Sequence, residues 1–199
     1  MMSKLVVSMN TTLDGFIAGP HCELDWHFNC WDAGMGQRLT EELNRSDSIL
    51  LGRVTYQAMA AYWPQQAIST NSARDDIPFA DLMNRRHKIV FSNTLSSLSW
   101  QNSSLLSGPV DQALRQFKAT HQLKEGNIIS YGSGKLVSAL IRLGLVDEFQ
   151  LWVHPILLGS GRPLIRELRQ QLALRLQTTQ VFSSGVVLLQ YKYTDCACP

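Results

Sequence analysis

Apolar positions in this chain come in short bursts, and the spacing inside each burst indicates the element it builds. Leu5 to Met9, Ser48 to Leu51, His87 to Phe91, Ile128-Ile129 and Phe149 to Val153 are compact apolar runs, the pattern of strands buried on both faces. Between them the spacing lengthens to that of helices. These are Gly36 to Asn44, a segment from Thr55 through Met59 to Tyr62, Val110 to His121, and the stripe Leu136, Val137, Leu140, Ile141 and Leu143. Proline punctuates two of them. Trp63-Pro64 is expected to end the second helix, because the residue before a proline is pushed out of helical conformation; Pro109 suits the first turn of the third. Gly144 stands where a left-handed residue would stop the fourth. A short strand is expected near Leu105-Leu106, and residues 65–78 read as a polar surface excursion. Two alternating runs close the chain, Ala173 to Phe182 and Val186 to Tyr193, and with the turn Ser183-Ser184-Gly185 between them they predict an antiparallel hairpin. Strands alternating with helices, then a hairpin, describe an α/β protein with a central mixed, mostly parallel sheet flanked by helices. No repeat, linker or low-complexity segment divides residues 1–199, so one domain is expected.

Composition narrows the function classes. Hydrophobic residues at 45% and charged residues at 17% describe a globular protein with a genuine core. A net charge of +2, with no basic block or stripe, gives no electrostatic case for nucleic acid or an anionic membrane. No apolar run approaches the roughly 18 residues of a membrane span, and the first residues lack the long apolar core of a signal peptide, so a cytoplasmic location is expected. Cysteines stand at 22, 30, 196 and 198, without C-x-x-C spacing. His21, Cys22, His27 and Cys30 match no standard zinc spacing, and the expectation is scattered reduced thiols with no metal.

Candidate chemistry gathers where strands run into helices. Gly132-Ser133-Gly134 lets bare backbone N–H groups approach a ligand at the start of a helix. The positive end of the helix dipole lies there too, and Lys135 adds a point charge, so a phosphate or pyrophosphate is the natural guest; tight strand-to-helix packing is the competing reading. Gly52-Arg53-Val54-Thr55 is a second such junction. Thr55 can cap its helix, and Arg53 can fork onto a phosphate or serve as a surface ion-pair partner. Ser92-Asn93-Thr94 ends a third strand. Ligands of open α/β sheets bind beyond the carboxyl ends of strands, so these groups are expected to converge on one elongated phosphorylated ligand, such as a dinucleotide. Asp14-Gly15 marks a turn with positive φ. Residues 19–34 form a long loop whose Trp26 and Trp31 either roof a pocket or cover the core edge.

Taken in order, three stretches resemble the dihydrofolate reductase superfamily. They are Leu13-Asp14-Gly15-Phe16-Ile17-Ala18, the run Ile49 to Tyr56, and Leu143 to Glu148 followed by Pro155-Ile156-Leu157-Leu158-Gly159. Within that superfamily the chain looks most like the branch containing the reductase domain of riboflavin biosynthesis, over nearly its whole length. The resemblance implies a dihydrofolate-reductase-like domain, NADPH as hydride donor, a small heterocyclic substrate of pterin or aminopyrimidine type, and a homodimer. By position, Arg53 would face the adenosine 2′-phosphate with Ser92 and Asn93 close by. Thr55, at the Gly52 junction, and Gly132-Ser133-Gly134-Lys135 would hold the pyrophosphate, and the backbone at Asn10, Ile17 and Ala18 the nicotinamide carboxamide. Arginine with hydroxyl and amide neighbours suits a 2′-phosphate, whereas a carboxylate would select the unphosphorylated ribose. The apolar segment Glu148 to Leu158 is expected to bury a strand against a partner subunit.

The chain also departs from the pattern. Riboflavin-type reductases carry a glutamate before their glycine turn, where this chain has Tyr131, and Leu24-Asp25-Trp26 and Asp32 reproduce the folate enzymes' substrate residues only loosely. Hydride transfer leaves an atom that must take a proton from a side chain or a positioned water. Asp14 is the first candidate, its alternative role being a turn former bonding backbone; Asp25 and Tyr131 follow. His154, just before Pro155, reads as a structural or interface residue. The competing function is a non-catalytic nucleotide-binding or assembly module on the same fold.

Overall fold

A computed structural model describes residues 3–66, 77–120, 126–165, 168 and 170–194. Its strands are β1 (Leu5–Thr12), β2 (Phe16–Ala18), β3 (Ser46–Gly52), β4 (His87–Phe91), β5 (Ser103–Leu106), β6 (Asn127–Ser130), β7 (Glu148–His154), β8 (Arg162–Pro163), β9 (Leu174–Val181) and β10 (Val187–Tyr193). Its helices are α1 (Ala33–Asn44), α2 (Arg53–Gln66), α3 (Ile77–Arg85), α4 (Val110–Thr120) and α5 (Gly134–Arg142), with a 3₁₀ turn over Asp25–Cys30. Eight strands form the main sheet in the order β5-β4-β3-β6-β1-β7-β10-β9. Only β10 runs against the others, pairing antiparallel with both β7 and β9. β2 and β8 make a separate small pair at the rim.

Continuous apolar strand sequences serve two cores at once. Leu5, Val7, Met9, Leu50, Ile89 and Ile128 face α4 and α5. Ile49, Leu51, Val90 and Ile129, from the same strands, face the other way onto Tyr56, Trp63, Phe79 and Met83 of α2 and α3. A third cluster, Met35, Trp152, Phe182, Val186 and Leu188, sits beneath the start of α1. The mixed, mostly parallel sheet, its flanking helices and the C-terminal hairpin are as the hydrophobic pattern predicts.

Four features differ from the pattern. First, the α1 helix begins at Ala33, earlier than Gly36, because Asp32 caps it: the carboxylate accepts from Met35 N at 2.9 Å, and from Ser183 Oγ and Ser184 N of the β9–β10 turn. Second, α2 runs through Pro64 to Gln66 rather than ending before it. Buried Trp63, wedged edge-on between Tyr62 and Phe79, holds that turn in place, and its carbonyl accepts from Asn84 Nδ2 at 3.1 Å. Third, α3 lies partly inside the stretch read as a loop; of residues 65–78, those at 67–76 fall outside the described residues. Fourth, β7 is interior, paired with β1 on one side and β10 on the other, so it offers no edge to a partner; of the segment Glu148 to Leu158 only the part beyond His154 stands clear of the sheet.

The α5 helix ends as expected. Gly144 adopts φ +64°, and bonds from Gly144 N to Ile141 O and Leu145 N to Leu140 O close a Schellman motif. Among the described residues, no helix is long and apolar enough to cross a membrane, and no three His, Cys, Asp or Glu residues gather as metal ligands.

Candidate active site at the strand ends

Adjacent strands β4, β3, β6 and β1 bring their carboxyl ends to one edge, and both α2 and α5 start there. Gly52 N donates to Gly132 O at 2.9 Å, stitching the end of β3 to the glycine turn. A Cβ on Gly52 would lie 3.0 Å from Ser133 N and closer still to Ser133 Oγ, so only glycine permits this approach. Gly132 has φ +116°, and a Cβ there would sit 3.0 Å from Thr55 Oγ1. One on Gly134 would overlap Ile17 Cδ1. Ile17, Gly52, Thr55, Gly132, Ser133 and Gly134 therefore meet at one place.

Both helix N-termini point at this rim. Ser133 caps α5 without a side-chain bond, which leaves the first-turn N–H groups facing outward beside exposed Lys135. Arg53, the first residue of α2, is exposed; its one described hydrogen bond is a long 3.4 Å contact to Gln57, and among the described residues it forms no ion pair. Gly52 is in register with Phe91, so Ser92 and Asn93 follow directly alongside Arg53. Ser92 Oγ accepts from Thr94 N and Leu95 N, both at 3.1 Å, and shares a long 3.4 Å contact with Thr94 Oγ1. Asn93 Oδ1 accepts from Gly108 N at 2.7 Å, and that bond turns its amide nitrogen outward. The result is a donor-rich edge suited to an anion.

Next to it, Asn10 on β1 holds His154 Nε2 through Oδ1 at 3.0 Å. His154 is fully buried, with Trp26 edge-on at 5.2 Å, so the 3₁₀ turn roofs this end of β1 and β7. His154 is thus an internal brace rather than an interface residue. The backbone oxygen of Ala18 lies so near Gly161 that a side chain there could not fit, which draws the Leu157–Pro163 glycine loop against β2.

The proton-donor candidates fare differently. Asp14 accepts from Thr12 Oγ1 at 2.5 Å, Gly159 N at 2.8 Å and Leu158 N at 3.1 Å. Chiefly the Thr12 bond, with those from Gly159 and Leu158, holds its carboxyl below the ordinary range although desolvation opposes it. These surroundings are those of a turn former bonding backbone, the alternative role read for Asp14. The Tyr131 hydroxyl is buried under α1; burial first, then the charge of Glu42, push it well above the usual phenol range. Asp32, as capping residue, is likewise an acceptor: burial opposes its ionisation, but bonds from Met35, Ser184 and Ser183 prevail.

Comparison with known proteins meets this geometry. The model of the RibD C-terminal domain matches residues 3–188. The chain belongs to the RibD C-terminal domain family. One relative, the uncharacterised YyaP of Bacillus subtilis, is 33% identical over 190 residues, covering 96% of this chain and 95% of its own. A putative riboflavin biosynthesis protein from Shewanella superposes with a TM-score of 0.71 at 24% identity, over 96% of this chain and 99% of that one. Dihydrofolate reductase from Enterococcus faecalis, solved with NADP(H), gives 0.60 at 13% identity, over 98% and 99%. Those two likenesses establish the fold, and the RibD-type chain adopts a dihydrofolate-reductase-like one.

Sequence reasoning missed two parts of this site. Gly161 lay in a noted glycine loop, but its approach to Ala18 depends on the long-range β2–β8 pair. The Asn10–His154 bond joins residues 144 apart, and no local spacing signals it.

Proposed function

We propose that the protein is an NADPH-dependent reductase of a small heterocyclic substrate of pterin or aminopyrimidine type. The observation that carries this reading is the meeting of Gly52, Thr55 and Gly132–Gly134 at two helix N-termini, beside an Arg53 with no acidic partner among the described residues. A donor-rich edge of this kind fits two linked phosphates and a third on a ribose. In this reading Arg53, Ser92 and Asn93 bind the 2′-phosphate. Thr55 and Gly132-Ser133-Gly134-Lys135 bind the pyrophosphate, while the backbone of Asn10, Ile17 and Ala18 orients the carboxamide. The cofactor, when bound, supplies the hydride. Asp14 anchors the Leu158–Gly159 loop, and the proton that completes reduction comes from water admitted at the rim.

Thermal unfolding with and without NADPH tests the reading. Ligand at about 100 times its dissociation constant adds roughly 2.7 kcal/mol, a shift of several degrees. No shift with millimolar NADPH would remove the proposal. Arg53→Ala is expected to weaken NADPH at least tenfold while leaving NADH nearly unchanged; equal losses would take Arg53 away from the 2′-phosphate.

A second reading is favoured by one observation: neither Asp14 nor Tyr131 is placed as a proton donor. A non-catalytic nucleotide-binding module would bind NADPH yet oxidise none of it across a panel of pterins, flavins and aminopyrimidines. Turnover of any of them rules that module out. We also propose a homodimer, now through the loop after β7. Leu13 N bonds Ile156 O at 2.9 Å, and the Leu13 and Leu157 side chains, 66% and 69% exposed, form an apolar prow there.

A further inference from the structure

On the opposite edge of the sheet from the rim, beneath α1, lies a polar cavity that the proposed reaction does not use. It measures about 210 Å³, and Arg38, Glu42, Arg45, Asn127, Gln150 and Gln190 are among its walls. The layer between a helix and a sheet is ordinarily apolar. Here Ser8, Gln150, Gln190 and Thr178 stand in register across β1, β7, β10 and β9, so a polar row replaces it.

Two of the wall residues are buried without the partners such groups normally have. Gln150 is 6% exposed and Glu42 5%. Gln150 Oε1 receives no hydrogen bond from the described residues, and neither carboxylate oxygen of Glu42 does. Arg38 Nη2 lies 2.9 Å from Glu42 Oε1, an ion pair that lacks the alignment of a hydrogen bond. Even with that pair, burial pushes the Glu42 carboxyl up to about 7. Buried acceptors are almost always satisfied, so the cavity wants a guest with N–H donors. The Arg38 and Arg45 guanidinium groups carry only donors, and with Arg38 using part of its set on Glu41 and Glu42 they have N–H groups to offer an acceptor on the same guest.

We propose that this cavity binds a small, neutral, planar molecule with N–H donors beside a carbonyl, no larger than a single ring, with Glu42 and Gln150 as acceptors and the arginines as donors. Size sets the upper limit: about 210 Å³ holds one ring and excludes a dinucleotide. Charge sets the neutrality, since the two wall arginines, Arg38 and Arg45, are matched by two wall carboxylates, Glu42 and Glu148. Access exists as well. A larger groove of about 540 Å³, between α1 and the β9–β10 hairpin, shares Arg38 and Gln190 with the cavity and opens to solvent. This site is separate from the rim and stands whether or not NADPH binds there.

Isocytosine, with adjacent N–H groups and a carbonyl, is the probe, and 1,3-dimethyluracil, with carbonyls but no N–H, is the control. Calorimetric titration of the full chain is expected to show an isocytosine site at the cavity, counted apart from any binding at the proposed substrate site on the rim by its loss in the cavity variants, and no dimethyluracil binding there. Gln150→Leu and Glu42→Gln should each weaken isocytosine at least tenfold, and Arg53→Ala should not change it. Circular dichroism checks that each variant is folded; if Glu42→Gln is not, Gln150→Leu carries the same expectation. The proposal is overturned by no binding to the wild-type chain, by equal binding of dimethyluracil, by unchanged affinity in the folded cavity variants, or by loss in Arg53→Ala. A crystal grown with isocytosine that holds only ordered water in the cavity overturns it too.

Discussion

Gly52 shows how one missing Cβ organises the candidate site. A side chain there would collide with Ser133 and push the glycine turn away from the end of β3. Gly52→Ala is expected to destabilise the protein by about 1–3 kcal/mol, in the range of overpacked sites, and to weaken NADPH binding with it. Urea unfolding and calorimetry measure the two effects. Glu42 makes a second residue-scale prediction. Its folded pKa, near 7, lies above the unfolded 4.5, so the folded state holds the extra proton between those values. Its contribution is fully present below pH 4.5 and is lost as pH rises through 7, a change of about 3 kcal/mol. Glu42→Gln should flatten the wild-type fall in urea midpoint between pH 5 and pH 8; an unchanged slope would place the titration elsewhere. The place of Arg53 at the junction of β3 and α2 was legible in the sequence. The role of Gln150 was not, because inside a strand read as apolar on both faces nothing local shows that its amide meets a polar cavity.

At the scale of elements, helices with capping signals were legible and helices held by remote contacts were not. Gly144 announced the end of α5. Nothing local announced α3, whose terminal carbonyls are satisfied from another element: Lys88 Nζ on β4 donates to Met83 O at 3.2 Å and Asn84 O at 2.7 Å, with the Trp100 ring 4.5 Å away. A fully buried lysine, its pKa lowered by desolvation to about 8, thus serves as a C-cap. Lys88→Met removes that desolvation but strands two buried carbonyls, at about 1–3 kcal/mol each, so net destabilisation is expected. Hydrogen exchange should then speed up in α3 before it does in β4. Uniform acceleration would show that the lysine supports the whole core rather than the helix end. Pro64 carries the same lesson, since the burial of Trp63 overrides a local stop signal.

At the scale of the whole molecule, the Leu13 and Leu157 prow predicts a concentration-dependent dimer. Light scattering at micromolar concentration should give twice the chain mass, and Leu157→Glu should shift it to the monomer; a wild-type monomer refutes the pairing. Read alone, the sequence determined the alternation of strand and helix, the mostly parallel sheet with its closing hairpin, and the family, because periodicity and turn chemistry are local and survive without knowledge of neighbours. Only the tertiary structure decided what the polar groups do. It made Asp14 and Asp32 clamps, turned His154 inward onto Asn10, paired both edges of β7 and left Glu42 and Gln150 buried around a cavity. A polar side chain's role is set by which donors and acceptors distant segments bring to it, and that information is not carried by the residues next to it in the chain.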